Sequence, residues 1–258
     1  MNDRDPRVAK HYDELAGYWE QVAESPSKAE LLWPAIDAML PDLAGRRVLD
    51  AGCGSGDWSA ELVDRGANVL GVDVSEQMVR VAEQRVPDAE FVRTDLEDGI
   101  DHVADDSFDV VLCQHVFSHV GDLTTPLSEF ARVLADGGDL VVSTHNPVHD
   151  YLVVRDESYP SVDDESDTEA RVETGPGSPS YAETERYDIT WNPGDDANRA
   201  TYYRRPIEGL LSPLIAAGFE IREVREPTPD GSFARAYPEI AETLRRLPAT
   251  SICLRATH

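Results

Sequence analysis

Val48-Leu49-Asp50-Ala51-Gly52-Cys53-Gly54-Ser55-Gly56-Asp57-Trp58-Ser59 reads as the end of a strand, a glycine-rich turn and the start of a helix. Two apolar residues close a short β-type run, and Asp50 follows them. Glycines at 52, 54 and 56 supply the left-handed backbone of a tight turn and leave no Cβ in the way of a close approach. The helix that begins near Asp57 presents unpaired N–H groups and partial positive charge to that turn. A polar or anionic ligand suits the place, and an ordinary glycine turn without a ligand is the competing reading.

A phosphate-cradling loop would end in Gly-Lys-Ser/Thr, which is missing here. A dinucleotide fingerprint would put a third glycine at 57, where Asp57 would face a pyrophosphate. The stretch resembles motif I of the class I S-adenosylmethionine-dependent methyltransferases, with Asp50, Gly52, Gly54 and Gly56 in the family's pattern of an acid followed by Gly-x-Gly-x-Gly. The resemblance extends over about 8–146 and 205–256 and is strongest at 46–98.

Outward from the turn, strands and helices alternate. Strands are expected at 46–50, 68–74, 89–95, 108–113 and 139–144, with helices at 57–65, 76–86 and 125–134 between them. Their apolar runs are nearly continuous, as parallel strands covered on both faces require. The expected fold is α/β, a doubly wound, mostly parallel sheet. A helix at 207–217, a strand at 219–225, a short helix at 239–247 and a strand at 249–256 complete seven strands. The resemblance, and not the periodicity, implies that strand seven runs antiparallel between strands five and six.

The alternation breaks at about 147. An acid run at 163–169 and Gly175-Pro176-Gly177-Ser178-Pro179 are loop-like. Tyr181 to Trp191 and Arg199 to Tyr203 read as two strands around Asn192-Pro193-Gly194-Asp195, a hairpin signal. The expected organisation is a core of 1–146 and 206–258, with a helical N-terminal cap over 1–44, and an inserted hairpin lid over 147–205 on the acceptor side.

Fifty acids against 23 bases give a net charge of −27, and the only lysines are Lys10 and Lys28. The acids run along the whole chain, as in proteins of organisms that keep molar salt in the cytoplasm, where the repulsion is screened. An acidic surface for a basic partner is the alternative. Cys53, Cys113 and Cys253 have neither disulfide nor metal spacing, so buried free thiols and no metal site are expected. The polar N-terminus and the lack of a long apolar run point to a cytoplasmic protein without a membrane partner. Oligomeric state is left open.

Ligands of doubly wound sheets bind beyond the C-terminal ends of the strands. There the resemblance implies S-adenosylmethionine, with Asp50, Ala51, Gly52, Cys53, Gly54 and Gly56 around its methionine end. Asp73 and Val74 would meet the ribose, and Met78, Thr94, Asp95 and Leu96 the adenine. Gln114 would lie under the sulfonium, and Tyr12 and Tyr18 would close over it. Each of the three acids could instead cap a turn or helix, and the N-terminal aromatics could pack on the sheet. His119 and His115 follow strand four and are candidates for the base or for acceptor contact, with a structural histidine as the alternative for each. Tyr203, Arg204 and Arg205 stand where the insertion rejoins the core, Tyr203 and Arg204 are candidates for acceptor contact, and either arginine could pair an anionic acceptor group.

After strand four the chain has Gln114-His115-Val116-Phe117, not the Asn/Asp-Pro-Pro-aromatic motif of base- and amide-methylating relatives. Basic residues interleaved with aromatics occur only at Tyr202-Tyr203-Arg204-Arg205, so nucleic acid is an unfavoured partner. A methyltransferase acting on a small molecule is expected. RNA or protein acceptors, or a non-catalytic cofactor-binding subunit, are the alternatives.

Overall fold

The computed structural model describes residues 13, 26–156, 158–159, 170–175, 177–190 and 199–258. Tyr12, Tyr18, Trp191, the acid run 163–169 and most of the expected cap lie outside the described residues. A π-helical stretch, Ser27–Leu32, continues into α1 (Trp33–Asp37). The core then runs β1 (Arg47–Ala51), α2 (Asp57–Asp64), β2 (Asn68–Asp73), α3 (Glu76–Arg85), β3 (Glu90–Arg93), β4 (Phe108–Gln114), α4 (Thr124–Val133) and β5 (Leu134–His145).

An insertion follows, made of α5 (Pro147–Asp156), β6 (Ser158–Tyr159), β7 (Ala170–Thr174), β8 (Glu185–Thr190) and β9 (Arg199–Arg204). The chain returns through α6 (Ile207–Ala216), β10 (Glu220–Arg225), α7 (Gly231–Ala236), α8 (Pro238–Leu244) and β11 (Ser251–Thr257). The main sheet has the order β10-β11-β5-β4-β1-β2-β3. β11 is antiparallel to both β5 and β10, the placement implied for strand seven.

The two faces bury different sets. Leu49, Val111, Leu140 and Leu254 pack with Phe130 and Leu214 on one side. Val48, Val110, Val141 and Cys253 pack with Ile36 and Leu62 on the other. This is the pleat's period of two, and it explains the continuous apolar strands. All three cysteines are free and buried, as expected.

The third strand is shorter than expected. β3 ends at Arg93, and Asp95 lies beyond it in a turn, accepting from the Glu97 N–H at 2.9 Å. The insertion is also more than a hairpin. β6 to β9 form a second, antiparallel sheet of four strands with its own small core of Val153, Val172, Tyr187, Ile189 and Tyr202. α5 begins where the alternation was expected to break and no element was assigned. Asn146 caps it, its Oδ1 accepting from the Val148 N–H at 3.0 Å, and Pro147 takes the first helical position.

Candidate active site

Beyond the C-terminal edge of the sheet, the turn after β1 carries Gly52, Gly54 and Gly56, all with positive φ. They serve different ends. A Cβ on Gly52 would lie 2.2 Å from Val116 Cγ2, so this glycine admits the chain leaving β4. A Cβ on Gly54 would meet nothing within 4 Å, so its side of the turn is open to a ligand. Asp73 braces the turn, with Oδ2 accepting from the Gly54 N–H and Oδ1 from the Ser75 N–H, both at 2.9 Å. Burial raises its carboxyl above the usual range, and the Ser75 and Gly54 N–H groups lower it part of the way back.

Ser75 caps α3 by accepting from the Met78 N–H and donates to Asp13 Oδ1 at 2.5 Å. Ala51, Cys53 and Met78 are buried around the turn, and Val74 lends its carbonyl to Arg93 Nε at 3.1 Å. Leu96 is buried in the core cluster that holds Leu49 and Val72.

Among the buried polar atoms without a hydrogen-bond partner in the described residues are Asp50 Oδ1, Gln114 Nε2 and Thr94 Oγ1, at or just past the C-terminal ends of β1, β4 and β3. Asp50 is the most telling. Its Oδ2 accepts from Ser59 Oγ at 2.6 Å, burial pushes its pKa up to about 7, and Asp73 and Asp57 add to the rise. An orphaned buried carboxyl at the end of β1, beside the glycine turn, suits a ligand that brings a cation. Gln114 is held from the other end, its Oε1 accepting from Ser143 Oγ at 2.6 Å, which leaves its amide N–H groups as donors.

Past the ends of β4 and β5, His119 and His145 meet Thr201 and Tyr202 of β9 in the insertion. His115 has a left-handed backbone, φ 56°, unusual for a residue with a Cβ. Its Nε2 sits 3.1 Å from Ser251 Oγ, and burial first, then the charges of Lys28 and His145, hold it well below the usual imidazole range. His119 lies in the short 3₁₀ turn Phe117–His119 with Nδ1 3.1 Å from the Thr201 carbonyl, so Nδ1 is its donor. Burial lowers its pKa to about 3, aided by His145. Both imidazoles are neutral at working pH, and a base as weak as His119 is poorly matched to a neutral acceptor.

Arg204 is a correction. It was expected to contact the acceptor, yet it is 0% exposed. Nε donates to Glu185 Oε2 at 2.9 Å, Nη1 to the Tyr181 carbonyl at 3.2 Å, and Nη2 to the carbonyls of Ser180 and Glu183. The guanidinium also sits over the rings of Tyr151 and Tyr181. The reason is the strand period: Tyr203 and Arg205 occupy the alternate positions, and they line the narrow cleft between core and insertion.

Ser118, His145, Asp150 and Leu210 line that cleft too. Arg205 donates to the carbonyls of Phe117, Val120 and Gly121, fixing the segment after β4. Residue order alone did not point to Asp150, Ser251 or Lys28, whereas Arg205 had been expected beside Arg204. Only Asp150 had a usable signal, the Asn146-Pro147 helix start that brings it one turn in.

Residues 49–142 match the model of the Methyltransf_11 family, a methyltransferase domain. The ubiquinone biosynthesis O-methyltransferase of Hahella chejuensis is 35% identical over 147 residues, 53% of this chain and 60% of that protein. The enzyme of the same name from Paracidovorax citrulli is 31% identical over 151 residues, 55% of this chain and 63% of its own. The chain thus spans less than two thirds of the length of these relatives. An S-adenosylmethionine-dependent methyltransferase from Mesorhizobium loti aligns over 88% of this chain and 97% of its own, with a TM-score of 0.70 and 28% identity.

Fold and glycine turn together are similar to those of class I S-adenosylmethionine-dependent methyltransferases, and S-adenosylmethionine is the cofactor this likeness implies. The residues present fit that group. Gly54 leaves open space, Asp73 would be the carboxylate for its hydroxyls, and Asp50, with its unmatched oxygen, would be the partner for its ammonium end.

Proposed function

We propose that the protein transfers a methyl group to a small-molecule acceptor, with 147–205 covering the acceptor side. The observation that supports this reading is the orphaned Asp50 oxygen at the end of β1, beside an open glycine turn, in a protein that also has a cleft lined by His145, Tyr203 and Arg205. Bound S-adenosylmethionine supplies a methyl group on a positively charged sulfur. The protein's part is to align the acceptor with it and exclude water. Tyr203, half-buried on the cleft wall, is the acceptor-side residue of this reading.

The cleft holds about 10 Å³, room for about one water, so an acceptor using this route needs the insertion to part from the core. That requirement supports a lid. The O-methyltransferase relatives favour an oxygen acceptor. No helix among the described residues is long and apolar enough to cross a membrane, and Gln114-His115-Val116-Phe117 in place of an Asn/Asp-Pro-Pro-aromatic motif favours a small acceptor over nucleic acid. The test is release of S-adenosylhomocysteine with a panel of phenols. Tyr203→Ala should raise the acceptor KM about tenfold and leave the cofactor Kd unchanged. A parallel loss of both would make Tyr203 a packing residue only.

We also read the charge of −27 as adaptation to a salt-rich cytoplasm. The melting temperature is expected to rise between dilute buffer and molar KCl, where the screening length falls to about 3 Å. A flat or falling melting temperature would return the acidic surface to the role of a partner site.

A further inference from the structure

Four imidazoles cluster beyond the ends of β4 and β5: His115, His119, His145 and His149. They differ in what holds them. His115 leans on Ser251, and His119 gives its Nδ1 proton to a carbonyl of the insertion. His149 is 2% exposed and does not line the cleft. His145 does line it, and its Nδ1 lies 3.1 Å from Asp150 Oδ1, tilted off the ideal hydrogen-bond line.

Asp150 is a buried carboxyl, with a side chain 3% exposed. Burial alone would raise its pKa, but His145 and then His149 outweigh it and hold the group at about 2, so it is an anion. An anion at Nδ1 keeps the proton on that nitrogen. The lone pair is then on Nε2, and a positive charge gained by the ring is stabilised. Tyr202 stacks on the ring at 5.2 Å and 15°, fixing its plane. His115 meets it edge-on at 5.4 Å.

We propose that His145, positioned by Asp150, takes the proton from the acceptor, and that the acceptor group is therefore a hydroxyl. The inference rests on the methyl-transfer reading above and deepens it. A thiolate or carboxylate is ionised near neutral pH and gives a base nothing to do, whereas a hydroxyl must lose its proton as it attacks. The O–H bond breaks and its proton goes to His145 Nε2. The freed electron pair forms the O–CH₃ bond, and the electrons of the breaking C–S bond stay on sulfur. The imidazolium, paired with Asp150, later releases the proton to solvent. Because Asp150 belongs to α5, the insertion completes the base that the core presents.

The test compares hydroxyl probes (catechol, 4-hydroxybenzoate and a primary alcohol) with thiophenol, which ionises near neutral pH. His145→Gln should lower kcat with the hydroxyl probe used best by about 10²–10⁴-fold. KM, the cofactor Kd and the thiophenol rate should stay within threefold, which also shows that the variant folds. Asp150→Asn should lower the same kcat at least tenfold, Asp150→Glu should recover part of it, and added imidazole should restore His145→Gly. Equal losses with both probe classes, no loss at all, or a wild type that binds S-adenosylmethionine and methylates none of the hydroxyl probes would each overturn the proposal. A wild type that does not bind S-adenosylmethionine would instead remove the reading beneath it.

Discussion

Arg204→Met is expected to lower stability by about 3–5 kcal/mol, the cost of breaking a buried, fully paired charge. Methionine fills much of the volume but leaves the carbonyls of Ser180, Tyr181 and Glu183, and the Glu185 carboxylate, without their donor. Against a typical total of about 5–15 kcal/mol, that is enough to loosen the insertion as a unit. The melting temperature should fall on the order of 10 °C. Below the transition, S-adenosylmethionine affinity should be unchanged, because Arg204 touches only the insertion and not the glycine turn. An unchanged melting temperature with a raised acceptor KM would mean that Arg204 faces the acceptor after all.

Asp73→Ala should behave in the opposite way. It removes the carboxylate offered to the cofactor's hydroxyls, and losing charge-assisted hydrogen bonds there costs about 1.5–3 kcal/mol, or ten- to a hundredfold in Kd. It also withdraws the acceptor of the Gly54 and Ser75 N–H groups, so the turn itself loosens and the loss should reach at least the upper end. The insertion's pairing around Arg204 should be intact. The two variants together separate a binding carboxylate from a structural guanidinium. Two variants with indistinguishable effects on Kd and melting temperature would show that the site has been misdivided.

What could be read from residues followed local rules. Asp50 and the three glycines announce strand, turn and helix through backbone chemistry alone, and apolar runs such as Val110-Val111-Leu112-Cys113 announce buried strands. Arg204 failed for a reason of equal simplicity. Tyr203, Arg204 and Arg205 are consecutive, and which of the two cations faces the cleft depends on a strand register that is set by pairing with β8, Glu185 opposite Arg204. β3 ends at Arg93, two residues before the expected end, because Asp95 closes a turn on the Glu97 N–H, and one residue's turn chemistry is easily hidden in an apolar run. α5 was missed because the acid run and prolines after it dominated the composition of 147–205. The meeting of His145, Asp150 and Tyr202 depends on three separate elements, which no spacing in one chain reveals.

Isothermal titration of the intact chain with S-adenosylmethionine, and with NAD alongside, tests the central claim most directly. The expected result is one site per chain with a Kd in the micromolar range, about −8 kcal/mol, and no competition from NAD. Binding of NAD without binding of S-adenosylmethionine would contradict the account.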